Sequence, residues 1–507
     1  MYAPPLAVPT TAAVRQQRTV AGPLLFLLLA SIAVGIAHRL LVGWMTPLWL
    51  DETFTGVIAT QPDSASLMEW CLVELSGPVY YVTIWLWEKI AGPGDIALRA
   101  PSLVFSIAAP LLILWKGHPD RETRQLWAAL ALLWIPGLRF ASEARPYALL
   151  FLLGCAQAIA FLNLLRAPGL RPALIWSGLS ALIILTHYHA LVITGLQGLA
   201  YLALKREAAL RTWPAGLLFI PVAGWMSVHL PFLLSFMDPT VVWYTKLEFL
   251  DIAYVPLILL GTDWPAALLL TLFCATLAVQ GWRAFRGREA FPYAEADTTL
   301  VATGIVAFLI VFGMGFLRPT FVGRYLIPFI PSILLGFALW ARNFEVYCRY
   351  VCAVLLATCV AYATADIILQ FRNPQTDIHN AYNFEQPSSW LRAHGVERLV
   401  FLWDNPTAAI VRPERLGQVG AFFLDRDGPS VPVIVPSLAP DADPNVALMA
   451  AAEGQKTGIL WAYDLKVPRT RGLVHPARIS EIDPAWTCRD FGAFSIFVVA
   501  CMRLPPA

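Results

Sequence analysis

The hydrophobic positions of this chain fall into long blocks, not into the short alternations of a water-soluble fold. Apolar runs cover residues 22–45, 97–115, 125–139, 147–165, 173–188, 190–204, 213–235, 264–281, 299–317, 325–341 and 347–370. A helix needs about 20 such residues to cross a bilayer. The pattern therefore predicts an α-helical polytopic membrane protein with about 11 transmembrane helices. Beyond residue 370 the rhythm changes. Helix-like "SSWLRAHGV" is followed by strand-like "ERLVFLWD", "GILWAYD" and "FSIFVVACM". That mixture predicts a small soluble C-terminal α/β domain. The expected division is a tail over 1–21, a membrane domain over 22–370 and a soluble domain over 371–507.

Composition agrees. The chain is 58% hydrophobic and 14% charged, against roughly 25% charged in a soluble domain. Of its charged side chains, 27 lie in residues 371–507, so the net charge of +2 describes neither part. No nucleic-acid partner is implied. The first run is too long for a cleavable signal and follows Arg15 and Arg18, which predicts an anchor with a cytoplasmic N-terminus.

Topology turns on "GPVYYVTIWLWEKIAG", residues 77–92. It is short, aromatic and ends in Glu88-Lys89, which suits a helix lying at the membrane surface. If it does not cross, the loops "KGHPDRETR", "RAPGLRP", "KREAALR" and "RAFRGREAFPYAEAD" share one side with the N-terminus. The first outside loop, 46–95, then holds one lysine against seven carboxylates. The positive-inside bias favours this arrangement and puts the C-terminal domain outside the cytoplasm.

That topology gathers polar residues at the outer face: Asp51 and Glu52, "ASEARPYAL" (141–149), "THYHA" (186–190), Lys246 and "RPTFVGRYLIPFIP" (318–331). Charge at a membrane boundary is a site hypothesis by default. Taken in order, "WLDETFTG", "SGPVYYVTIWLWEKIAGPGDIALRAPSLVF", "FASEARPYALLFLL" and "GRYLIPFIPSILL" resemble the GT-C superfamily of integral-membrane glycosyltransferases that use polyprenyl-phosphate sugars. The nearest branches are the bacterial protein O-mannosyltransferase-like and rhizobial lipopolysaccharide galacturonosyltransferase-like enzymes; the lipid A aminoarabinose transferases are more distant. The resemblance covers roughly residues 25–345 and departs at one place. The family reads His-Pro-Pro-Leu-Tyr-Tyr where this chain has Ser76-Gly77-Pro78-Val79-Tyr80-Tyr81.

The resemblance implies a polyprenyl-phosphate sugar donor, an acceptor that is a glycan, lipid or protein, and a multi-pass protein of the bacterial inner membrane with its site and C-terminal domain in the periplasm. A phosphate-linked sugar already carries a good leaving group. The site then needs a base for the acceptor and cations for the departing phosphate. Asp51 is the expected base, with Glu52 and Glu143 supporting it or holding substrate. Arg145, Arg324 and Lys246 are the expected phosphate ligands.

Each assignment has a plainer competitor. Asp51 suits a helix cap, Glu143 an ion pair with Arg145, and Arg324 and Arg39 snorkelling to the interface. Tyr80 and Tyr81 suit either substrate contact or an interfacial belt with Trp85 and Trp87. His187 and His189 are candidate substrate contacts, and with Asp51 they are the one set that offers a divalent cation; no cofactor and no other metal spacing is implied. Cys488 and Cys501 are the cysteines of the C-terminal domain and are expected to pair outside the cytoplasm. The rival functions are a polytopic transporter or lipid flippase, and a processive glycan polymerase or ligase. No two-half repeat of runs supports a transporter.

The topology has a direct test. A reporter active only outside the cytoplasm should be active when fused after Ala507 and silent when fused within 283–297. The reverse pattern would mean that 77–92 crosses.

Overall fold

The computed structural model describes residues 26–27, 29–44, 46–236, 246–261, 264–287, 293–318, 321–343, 346–372, 383–403, 412–426, 428–436, 444–454, 456–464, 479, 483–492 and 496–503. The expected tail 1–21 lies outside them, as does most of the loop 237–251. The helices are α1 (Leu29–Leu41), α2 (Leu50–Ala59), α3 (Ser64–Cys71), α4 (Pro78–Ala91), α5 (Asp95–Lys116), α6 (Arg121–Leu132) and α7 (Ile135–Phe140). They continue as α8 (Tyr147–Arg166), α9 (Leu170–Ile184), α10 (Ala190–Leu204), α11 (Arg206–Arg211), α12 (Ile220–Phe236), α13 (Val255–Leu260) and α14 (Trp264–Phe285). Then come α15 (Glu295–Leu317), α16 (Ile330–Asn343), α17 (Val346–Arg372), α18 (Glu385–Ala393), α19 (Pro413–Arg426) and α20 (Pro444–Ala451).

Among the described residues, seven helical stretches are long and apolar enough to cross a membrane: Asp95–Lys116, Tyr147–Arg166, Trp213–Ser235, Ala267–Phe285, Glu295–Leu317, Gly323–Arg342 and Ala353–Arg372. The other four expected runs fold as shorter helices. Three of them are α1, α9 and α10. The run 125–139 divides into α6 and α7, because Pro136 has no N–H for the Leu132 carbonyl and its ring would clash there in a continuous helix. Trp134 leaves the helical region and Pro136 falls in the first turn of α7. Helix α4, with 14 residues, is not among the seven and packs on α2, α3 and α5. Its Tyr80 and Tyr81 are fully buried, so they form no interfacial belt.

The bundle carries its charge at its two ends. At one end Arg166 holds Asp297 at 2.5 Å, His118 joins it at 3.2 Å, Lys205 pairs with Glu295, and Arg342 pairs with Asp120 and Glu122. Asp51, Arg145, His187 and Arg324 gather at the other end, as the alternation of α5, α8, α15 and α16 requires. Arg39 departs from the snorkelling expectation. It is buried and donates to the carbonyls of Gly35 and Leu132 and to Ser106 Oγ. Its neighbour His38 pairs with Asp366 of α17 at 2.8 Å.

The C-terminal part is built on a five-stranded sheet. Its strands are β1 (Arg398–Trp403), β2 (Val433–Ile434), β3 (Thr457–Asp464), β4 (Trp486–Asp490) and β5 (Ile496–Arg503). Their order is β2-β1-β3-β5-β4, with β1 parallel to β2 and β3, and β5 antiparallel to β3 and β4. Side chains alternate across a strand. Leu399, Phe401 and Trp403 of β1 accordingly join a core shared with Leu48, Phe54, Tyr81 and Phe422, while Val400 and Leu402 join a second core with Trp461, Trp486 and Val499. The first core ties the sheet to the loop 46–95. Trp403 lies 5.8 Å from Phe54, Gln418 of α19 accepts from Trp70 Nε1 at 2.7 Å, and a Cβ at Gly56 would stand 2.4 Å from Phe422. Arg426 of α19 pairs with Asp95 and with Glu385.

Cys488 and Cys501 stand opposite each other in the β4–β5 register and are disulfide-bonded. Closing a loop of this size contributes about 3 kcal/mol in the chain-entropy picture. Intact-mass measurement of the freshly purified chain should therefore rise by two hydrogens on reduction. No change in mass would remove the bond.

Candidate active site

Helix α2 starts at Leu50, so the adjacent carboxylates sit in its first turn and point in different directions. Glu52 turns inward and is fully buried. Arg99 of α5 grips it with two bonds, Nε to Oε1 at 2.7 Å and Nη2 to Oε2 at 2.5 Å. The Ala144 amide donates to Oε1 at 2.7 Å and the Trp49 amide to Oε2 at 3.3 Å. Arg99 spends its remaining donors on the carbonyls of Gly43, Thr46 and Pro47. Glu52 is thus a bolt joining α2, α5 and the turns at 43–47 and 142–146. It offers no free oxygen to an acceptor.

Asp51 is not a helix cap. Its carboxylate turns to the membrane helices, with Oδ2 3.2 Å from Arg324 Nη1 and 3.6 Å from Arg145 Nη2. Arg145 also donates to the Asp51 carbonyl at 3.0 Å. The Tyr147 ring lies beneath both guanidiniums, 5.9 Å from Arg145 and 5.6 Å from Arg324. Arg324 thus faces Asp51 and is paired inside the protein, where snorkelling would have turned it to the interface. The Nε atoms of both arginines are buried and have no hydrogen-bond partner among the described residues. Unpaired buried donors are costly, and here each belongs to a guanidinium that pairs with the Asp51 carboxylate.

The remaining expected residues divide. Glu143 is buried in the turn that carries Arg145. His187 and His189 pack on Tyr325, next in sequence to Arg324, at ring distances of 4.9 and 4.6 Å. Burial pushes the His187 imidazole well down from its ordinary range, helped by His189 and the two arginines, and pushes His189 down to about 4. Among the described residues no three His, Cys, Asp or Glu side chains are grouped to hold a metal, His187, His189 and Asp51 included. Tyr80 stands edge-on to Tyr81 at 5.5 Å inside the core. Lys246 is exposed, and the described ion pairs of Asp51 are with the two arginines.

One site residue carried no signal in the sequence. Glu74 accepts from the Tyr81 hydroxyl at 2.8 Å, and Arg145 Nη1 donates to that hydroxyl at 3.4 Å. Burial pushes the Glu74 carboxyl up from its usual range, against the opposing pull of Arg145 and Tyr81. Glu74 is one of seven carboxylates in a polar loop, and only the fold singles it out.

The departure at Ser76-Gly77 also has a structural reason. The Gly77 amide donates to the Thr186 carbonyl at 3.2 Å, and a Cβ at Gly77 would stand 1.9 Å from the Leu185 carbonyl oxygen. The proline that the family carries there has no N–H to give.

No family model matches the sequence, and no curated protein sequence matches it. Solved structures do. ArnT from Cupriavidus metallidurans in the apo state is similar over 95% of this chain and 98% of its own, at 13% identity and a TM-score of 0.51. The same protein bound to undecaprenyl phosphate matches over 94% and 97%, at 13% identity and a TM-score of 0.52. The chain has the GT-C fold. The Archaeoglobus fulgidus oligosaccharyltransferase in its apo form is more remote, at 12% identity and a TM-score of 0.48, covering 87% of this chain and 69% of its own. Within this fold the Asp51 cluster lies where α2 and the turn before α8 meet the start of the Gly323–Arg342 stretch.

Breaking a buried ion pair from one side costs about 3–5 kcal/mol. Arg99→Met should therefore lower the melting temperature in detergent sharply and reduce activity with it. A variant as stable as the parent would show that the pair does not hold the site together.

Proposed function

We propose that this chain is an inverting glycosyltransferase that moves one sugar from a polyprenyl-phosphate donor to an extracytoplasmic acceptor. The observation that carries the reading is the Asp51 carboxylate set between Arg145 and Arg324, whose Nε donors are buried and unpartnered. It gains support from the shared fold with ArnT, a protein solved bound to undecaprenyl phosphate.

The chemistry follows from the charges. Before the donor arrives, Asp51 is held by the two guanidiniums. A phosphodiester entering the site competes for them, and bidentate guanidinium–phosphate contacts are strong. As the phosphate takes up the guanidinium charge, the hold on the Asp51 carboxylate weakens and it is released to take the proton from the acceptor hydroxyl or amine. The acceptor atom then bonds to the anomeric carbon from the face opposite the phosphate. The anomeric carbon–oxygen bond breaks, and polyprenyl phosphate leaves with the electron pair while Arg145 and Arg324 hold its charge. Single displacement inverts the anomeric centre. Glu52 and Arg99 fix the helix end that carries the base, and His187 and His189, packed on Tyr325, offer ring contacts for the sugar.

On this reading the site end of the bundle faces the periplasm of a bacterial inner membrane, and the domain from 371 to 507 closes over the outer loop. The acceptor is lipopolysaccharide, another glycan or a protein. The transporter reading is disfavoured because the charges cluster at the bundle ends and not along a path between them.

Purified protein in nanodiscs, assayed with a panel of polyprenyl-phosphate sugars, tests the reading. Asp51→Asn should lower turnover about 10²–10⁴-fold while donor binding persists. Arg324→Lys keeps the charge but loses the planar fork, so turnover should fall clearly. Near-parental turnover of Asp51→Asn would sink the mechanism, and a silent Arg324→Lys would remove Arg324 from it.

A further inference from the structure

Glu74 is a carboxylate at the site that the reaction above leaves unused. Its loop is pinned in place. The Tyr188 hydroxyl donates to the Ser76 carbonyl at 3.2 Å and accepts from Trp225 Nε1 at 2.8 Å. Just beyond Ser76, the amides of Gly77 and Val79 donate to the carbonyls of Thr186 and Leu185. Glu74 is therefore presented to Tyr81 from a fixed backbone.

A tyrosine hydroxyl has one proton and two lone pairs. Tyr81 gives its proton to Glu74 Oε2 at 2.8 Å. Its lone pairs are then free to receive Arg145 Nη1, which lies at 3.4 Å. The same Nη1 donates to the Asp51 carbonyl at 3.0 Å. The guanidinium is so held on two sides, and its Nε–H is left without a partner. Without an acceptor at position 74 the hydroxyl proton is free to rotate toward the guanidinium, where donor meets donor.

We infer that Glu74 is a positioning residue for the donor: through the Tyr81 hydroxyl it fixes the Arg145 guanidinium, leaving its Nε–H for the donor phosphate. The inference rests on the assignment of Arg145 to phosphate made above.

Binding of undecaprenyl phosphate to the full chain in nanodiscs tests it, with melting temperature followed in parallel. Arg145→Ala should weaken binding and so check the underlying assignment. Glu74→Leu and Tyr81→Phe should each weaken binding about tenfold, the size of one lost hydrogen bond near a charge. The double variant should be no weaker than either single one, because both cut the same chain. Glu74→Gln keeps an acceptor oxygen and should restore binding to near the parental value. If Arg145→Ala weakens binding but Glu74→Leu is silent, or the two losses add, the inference falls and the phosphate assignment stands. If Arg145→Ala is itself silent, the assignment falls and the inference with it. Should Glu74→Leu fail to fold, Tyr81→Phe alone decides: a silent Tyr81→Phe overturns the proposal.

Discussion

The buried pair between Glu52 and Arg99 is the contact on which the site depends. Two charges withdrawn from water are tolerated only when each is matched in geometry and every leftover donor is used. Here both Glu52 oxygens and the Arg99 fork are engaged, and three backbone carbonyls take the remaining Arg99 donors. The carbonyls lie before α2, the arginine lies in α5, and the Ala144 amide lies just ahead of Arg145. One ion pair therefore fixes the distance between Asp51 and Arg145. Consecutive residues on a helix point about 100° apart. That angle lets one carboxylate be buried as structure while its neighbour opens to the site.

The residues legible in the sequence were those at the ends of apolar runs. Asp51, Arg145 and Arg324 each interrupt or border such a run, and hydropathy together with the charge bias of the loops places them at one face. The partner of Glu52 was hidden, because Arg99 lies inside "DIALRAPSLVF" and reads as the start of a span. Arg39 misled for the opposite reason. A lone arginine near a run end reads as an anchor, and nothing local reveals that the carbonyl of Leu132 awaits it. In the sheet, β1, β3 and β5 were legible because they are long and apolar. Two-residue β2 and the polar edge strand β4 carry too little pattern.

Both ends of the bundle carry ion pairs, yet they differ in kind. At the Asp297 end, carboxylates meet cations from neighbouring helix termini and the charges close on themselves. At the Asp51 end, two guanidiniums share one carboxylate and keep donors in reserve. The first arrangement holds helices in register. The second leaves positive charge in excess of the carboxylate it holds.

The contacts of the loop 46–95 with the sheet domain also govern how the chain is made. The Gln61 amide donates to Gln418 across 357 residues of sequence. At a synthesis rate of about 5–20 residues per second, the loop waits roughly 20–70 s for that partner to be translated. Through this interval Phe54, Trp70 and Gly56 lack the surface that finally covers them. The seven carboxylates of the loop keep it hydrated and mutually repelled while it waits. Its acidity therefore bears on how the chain is made as well as on the finished molecule, because the segment that begins near Asp51 is covered only once the sheet has been translated.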